Sequence, residues 1–65
     1  MIVERVTREH VRALKVGEMG VYVLPSYKAV MVASSVFSIM KRLEGIECER
    51  VPTNEPLTIA YKRIK

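Results

Sequence analysis

Any chemistry on this chain has to come from a short set of side chains. His10 is the sole histidine, Cys48 the sole cysteine, and aspartate is absent altogether. General acid–base catalysis needs a titratable group held beside a nucleophile or a second carboxylate. No such constellation can be assembled around His10, which falls among the charged residues of a short segment and reads as a surface histidine. Ser34, Ser35 and Ser38 lie in a helical stretch without the strained glycine elbow and neighbouring base that activate a nucleophilic serine. Gly17 and Gly20 fit neither the phosphate loop nor the dinucleotide fingerprint. One cysteine excludes an internal disulfide and a thiolate zinc cage, and no histidine and carboxylates stand at metal-ligand spacing. The expectation is a non-enzyme with no cofactor, no metal and no small-molecule substrate.

What remains is charge and surface shape. Eleven Lys and Arg against seven acids give a net charge of +4, which favours polyanionic partners because cations that neutralise phosphates release counterions. The excess is spread evenly, so no third of the chain is strongly basic. Its best-organised part is one face of a long helical stretch: Lys28 near one end, Lys41 and Arg42 at the other, and Ser34, Ser35 and Ser38 between. Small hydroxyl residues allow close approach to a duplex, and terminal cations grip the backbone. Arg8 and Arg12, with Arg5 and Lys15, recur at spacings of three and four and form an auxiliary phosphate-gripping row, although a solvated helix face explains the same pattern. DNA or RNA is therefore the first expected partner. The second expectation is a homo-oligomeric assembly module that binds no nucleic acid, in which Tyr27 and Met31, in a row with Ser34 and Ser38, form the interface. A homodimer fits both, and two-fold dimers are the usual readers of palindromic sites.

The elements that must position these residues are well marked. From Ser26 to Gly45 the sequence SYKAVMVASSVFSIMKRLEG predicts a helix with Ser26 as N-cap, Gly45 as the left-handed residue that ends it, and Lys41 and Arg42 placed favourably for the helix dipole. At 100° per residue Ile39, Val32, Leu43, Val36, Ala29, Met40, Ala33, Phe37 and Val30 fall in one arc of about 180°, wide enough to cover a sheet. Ahead of it, Thr7 is a predicted N-cap for a short helix from Arg8 to Leu14, with Val6 and Val11 placed for a hydrophobic staple. Met1 to Val6 is either an edge strand or a loose terminus. Met19 to Leu24 reads as a strand apolar on both faces, hence central or covered twice. Ile46 to Val51 alternates as a half-buried strand, and Leu57 to Ile64 is the last.

With Thr53 to Pro56 as the loop, the last two strands pair Cys48 with Tyr61, Arg50 with Ile59, Glu47 with Lys62 and Glu49 with Ala60. This gathers Ile46, Cys48, Ile59 and Tyr61 on one face. The uncovered face then takes one of Tyr22 and Leu24, plus Ala60, Val51 and Ile64. The fold expected is α+β: a β-α-β-β core in which one long helix packs on a three-stranded antiparallel sheet of order 2-3-1, with a short N-terminal helix in front. Residues 1–65 form a single domain. Sixty-five residues are near the lower limit for a single unstapled core. No apolar run approaches the roughly 18 residues that span a bilayer, and MIVERVTREH carries charge where a secretory signal needs its apolar stretch, so a cytoplasmic protein that does not enter membranes is expected.

The run ALKVGE, then LPS opening a helix that ends in KRLEG, then LTIAYKRIK, resembles small proteins of unassigned role encoded by bacterial genomes and their phages or mobile elements. The resemblance runs from about Thr7 to Lys65 and rests on structural punctuation: a turn, a helix cap, a helix end and a strand. It implies a compact helix-plus-sheet domain accessory to nucleic-acid transactions. It carries over no catalytic or binding residue.

Overall fold

The computed structural model describes residues 1–65. In chain order the elements are helix α1 (Arg8–Ala13), strand β1 (Met19–Val23), helix α2 (Tyr27–Glu44), and strands β2 (Cys48–Val51) and β3 (Thr58–Arg63). The class is α+β, with an antiparallel three-stranded sheet of order β1-β3-β2. Both ends of α2 are closed by the residues that mark them in the sequence. The Ser26 hydroxyl accepts from the Ala29 N–H at 3.2 Å. Gly45 takes φ +68°, where its N–H reaches the Met40 carbonyl.

The core lies between α2 and one face of the sheet and centres on aromatic packing. The Phe37 ring stacks on Tyr61 at 3.8 Å between centroids, and Tyr22 lies 6.2 Å from Phe37 at a tilt. Met40, Ala33, Val11 and Val6 are almost completely buried around this group. Val6 and Val11 flank the first turn of α1 as the staple requires, which is how a helix of six residues is held without intrinsic stability.

Several expectations need correction. The pairing of β2 with β3 is Cys48 with Arg63, Glu49 with Lys62, Arg50 with Tyr61 and Val51 with Ala60, two residues away from the predicted register. A two-residue shift returns every side chain to its original face, so alternation alone cannot distinguish the two. The connection itself decides. Leu57 sits at φ +56° and the Thr53 hydroxyl donates to the Thr58 carbonyl at 2.8 Å, which widens the loop to residues 52–57.

β1 is neither central nor covered on both faces. Its Tyr22 points under α2, as does Leu24 just beyond the strand, so neither contributes to the open side. The open face instead receives Met19, Val21 and Val23. The outer edge of β1 is taken by the first residues of the chain: the Val23 N–H donates to the Met1 carbonyl at 2.8 Å, and the Val3 N–H to the Val23 carbonyl at 3.1 Å. Ile2 pairs in parallel with Val23. Of the two alternatives for this segment, edge pairing is the one found.

The apolar arc of α2 is also not fully absorbed. Ala33, Phe37 and Met40 are buried and Ala29, Val30, Val36 and Ile39 half-buried, while Val32 is 43% and Leu43 65% exposed. A helix lying on one face of a sheet buries a stripe little more than about 100° wide, so the flanks of an arc of about 180° curve away from it. The flank of the arc therefore overhangs the sheet.

Candidate nucleic-acid interface

The outer face of α2 is built by the same periodicity that buries its inner face. Tyr27, Lys28, Met31, Ser35, Ser38, Lys41 and Arg42 are exposed and Ser34 is half-buried. Met31 and Arg42 stand at the two ends of a shallow, solvent-open groove floored by Ser34, Ser35, Ser38 and Ile39. The groove exists because serines separate longer side chains. The Ser35 hydroxyl is turned back onto the Met31 carbonyl at 3.2 Å, a back-bond that leaves its oxygen free to accept but spends its proton.

The charges on this face are all of one sign. The only acid in α2 is Glu44, and its carboxylate is turned away to α1. No acid occupies the first turn either, so the positive end of the helix dipole is not neutralised. Lys28 and Arg42 have no carboxylate partner, and Lys41 makes one long contact to Glu47 at 3.6 Å. The three cations and three serines expected from the sequence therefore share one face, with Tyr27 and Met31 among them, 75% and 71% exposed.

Arg12 is drawn away from that surface. Arg12 bridges α1 to the end of α2: its Nε donates to both carboxylate oxygens of Glu44 at 3.0 and 3.1 Å, Nη2 to the same group at 2.6 Å, and Nη1 to Glu9 at 2.7 Å. The hydrogen bonds to Glu44 hold the guanidinium further above its ordinary value, reinforced by the attraction between the charges. The same bonds depress the Glu44 carboxyl against its partial desolvation, with Arg12 and Arg8 adding charge attraction. Arg12 is engaged by two carboxylates through Nε, Nη1 and Nη2, whereas Arg8 remains exposed beside this cluster.

Three positions have roles that the sequence reading missed. His10 is not a simple surface histidine. Its Nδ1 accepts the Thr7 N–H at 2.9 Å and its ring meets Tyr22 edge-on at 5.8 Å. It stands at the third helical position, where a capping box usually carries Glu or Gln, and the Thr7-x-x-His10 spacing was the available signal. Arg63 donates to the Leu14 carbonyl at 2.7 Å and the Lys65 carbonyl at 2.8 Å, tying the end of α1 to β3. Gly20 lies beneath the Tyr22 ring, since a methyl group built on it would come 2.5 Å from the hydroxyl.

No family model, curated protein or solved structure matches the chain. Functional inference therefore rests on these surfaces. A cleft between α1 and β1 is lined by His10, Glu18 and Tyr22; burial pushes the Tyr22 phenol up, with Cys48 and Glu18 adding to the shift. The Cys48 thiol is likewise pushed up by burial, opposed by Arg63, which leaves it a poor nucleophile at neutral pH. No group of three or more His, Cys, Asp or Glu is placed to hold a metal. No helix is long and apolar enough to cross a membrane.

Proposed function

We propose that this domain associates with nucleic acid through the outer face of α2. The observation that carries the reading is that α2 itself contributes no carboxylate to that face: Lys28 and Arg42 are unpaired, Lys41 makes only a long contact to Glu47 at 3.6 Å, and Glu44 is held by Arg12. In this reading the cations contact phosphates, Ser34 and Ser38 let the backbone of the duplex approach and donate to it at close range, and Ser35, whose proton is held by the Met31 carbonyl, adds only its small size and a free acceptor. Three phosphate contacts give a slope of roughly −3 in log affinity against log salt, which is a weak and mostly sequence-independent interaction.

The test is a titration of labelled duplex and single-stranded DNA and RNA at two salt concentrations, with wild type beside Lys41→Glu/Arg42→Glu. Steep weakening with salt and loss of binding in the double variant are expected. Binding that is absent at low salt, or indifferent to charge reversal, refutes the reading.

A second reading is favoured by one feature of the same face. Tyr27 and Met31 are among the most exposed large side chains of the chain, and with Ser34 and Ser38 they form a row that another helix could approach closely. An assembly module using this row would show partner binding insensitive to salt and abolished by Met31→Lys.

A further inference from the structure

The side of the sheet away from α2 carries a second surface, with a pattern of its own. The strand registers set its residues in three rows: Met19, Lys62 and Glu49; then Val21, Ala60 and Val51; then Val23 and Thr58, with Ile2 beside Val23. Ile2 is 87% exposed, Met19 52%, Val21 38% and Val23 37%. They form a patch of about 400 Å², comparable to the largest apolar patch of a typical monomer, and patches of that rank are often interaction sites.

We infer that this face binds a second copy of the chain, sheet against sheet, about a two-fold axis that crosses the strands at the Val21, Ala60 and Val51 row. That axis sets Val21, Ala60 and Val51 each over its own counterpart. It brings Met19 over the partner's Val23, and Lys62 over the partner's Thr58, where an ammonium meets a hydroxyl. Glu49 is left at the rim. No like charges face one another, so the surface is complementary to itself in both shape class and charge.

A two-fold axis along β3 would stack Lys62 on the partner's Lys62. Pairing of copies through the outer edge of β2, with helices kept on one side, would put Glu49 opposite the partner's Glu49 or Arg50 opposite the partner's Arg50, an arrangement that blocks edge addition. The exposed apolar part of the face, carried by Ile2, Met19, Val21 and Val23 around a buried Ala60, is on the order of 400 Å² per copy; with the flanking Lys62 and Thr58 a pair buries about 1,000 Å², the lower end of specific interfaces.

This dimer has a geometric consequence. With sheets about 10 Å apart and a helix on each outer side, the two α2 outer faces look in opposite directions about 40 Å apart. Such a dimer does not straddle adjacent half-sites of one duplex. It links two separate polyanions, a consequence that rests on the nucleic-acid reading, whereas the dimer itself does not.

Sedimentation velocity from roughly 5 to 500 μM spans the range in which an interface of this size associates. Wild type is expected to move from monomer to dimer. Val21→Lys, which sets two ammonium groups face to face on the axis, weakens the dimer by at least about 100-fold; its partial exposure lets the lysine reach water, and a thermal melt verifies folding. The axis itself is tested by charge at position 58: Thr58→Lys repels the partner's Lys62 and weakens association, while Thr58→Glu strengthens it. Met31→Lys leaves association unchanged.

A monomer at 500 μM, a dimer lost in Met31→Lys but kept in Val21→Lys, or equal effects of Thr58→Lys and Thr58→Glu would each overturn the inference. Co-capture of two differently labelled duplexes by wild type, with Val21→Lys binding one duplex but not joining two, supports the linking geometry. An intact dimer without DNA binding removes the nucleic-acid reading alone, and DNA binding by a strict monomer removes the dimer alone.

Discussion

Gly20 offers the sharpest test of the packing, because two physical effects predict opposite signs for Gly20→Ala. A glycine inside a strand costs about 0.5–1 kcal/mol relative to alanine through backbone freedom lost on folding, so strand propensity alone predicts stabilisation. The packing predicts the reverse. A methyl group at Gly20 would lie 2.5 Å from the Tyr22 hydroxyl oxygen, 2.8 Å from its ring carbon Cζ and 3.0 Å from Leu14 Cδ2. The leucine methyl is the far end of a flexible chain and can give way. Tyr22 cannot: it is 2% exposed and held between His10 and Phe37.

Overpacking of this kind costs about 1–3 kcal/mol against the about 0.5–1 kcal/mol of propensity, a net loss centred on about 1 kcal/mol and at most about 2.5 kcal/mol. For a domain of this size the central value lowers Tm by roughly 4–8 °C. Thermal and urea unfolding followed by circular dichroism measure the loss. Tyr22→Phe removes the closest atom, and its hydroxyl makes no hydrogen bond within the protein, so the double variant Gly20→Ala/Tyr22→Phe should recover a measurable part, a coupling of about 0.5 kcal/mol or more. A Tm for Gly20→Ala equal to or above wild type, or a double variant no better than the single, refutes the close-packing argument. Gly17→Ala is the contrast: φ is +88° and nothing lies within 4 Å, so its cost is purely conformational and insensitive to Tyr22→Phe.

Two further outcomes follow from the core and the ion pair. Met40→Ala, at a position with no exposure, should cost about 2–5 kcal/mol, a large share of the roughly 3–10 kcal/mol that stabilises a chain of this length; Leu43→Ala, at 65% exposure, should stay within about 0.5 kcal/mol of wild type in the same urea titration. The Glu44 carboxyl is depressed in the folded state, so the stability it contributes is fully present above its unfolded value and is lost as pH falls through the folded one. Tm measured from neutral pH down through the carboxylate range should therefore fall less steeply for Glu44→Gln than for wild type, and an unchanged acid slope would refute the role given to its contact with Arg12.

Much of the helix was readable in the chain because its signals are local. Ser26 and Gly45 act on backbone groups within a few residues, and the 3.6-residue period assigns Phe37, Met40 and Ala33 to the inner face and Ser34, Ser35 and Ser38 to the outer one. The staple of Val6 and Val11 is equally local. The serines and cations of the candidate interface were legible for the same reason, since a helix places residues on a face without help from the rest of the fold.

Other features depend on contacts between distant segments, and no local signal carries them. Arg12 and Glu44 are 32 residues apart, so a row of arginines at helical spacing looked free until the second helix brought a carboxylate to one of them. The β2–β3 register escaped because side-chain alternation has period two and is blind to a shift of two; the left-handed Leu57 and the Thr53 hydroxyl decide it. Tyr22 and Leu24 are the exception: residues two apart on a strand share a face, so the local alternation already keeps them together, and only the choice of the inner face, beside Phe37, belongs to the tertiary structure. The sequence by itself determined the class, the helix and its two faces, through interactions spanning a turn or less. Only the tertiary structure decided that Met19, Val21, Val23 and Ile2 share an uncovered apolar face, because that depends on how strands far apart in the chain align, and alignment is a property of the assembled sheet.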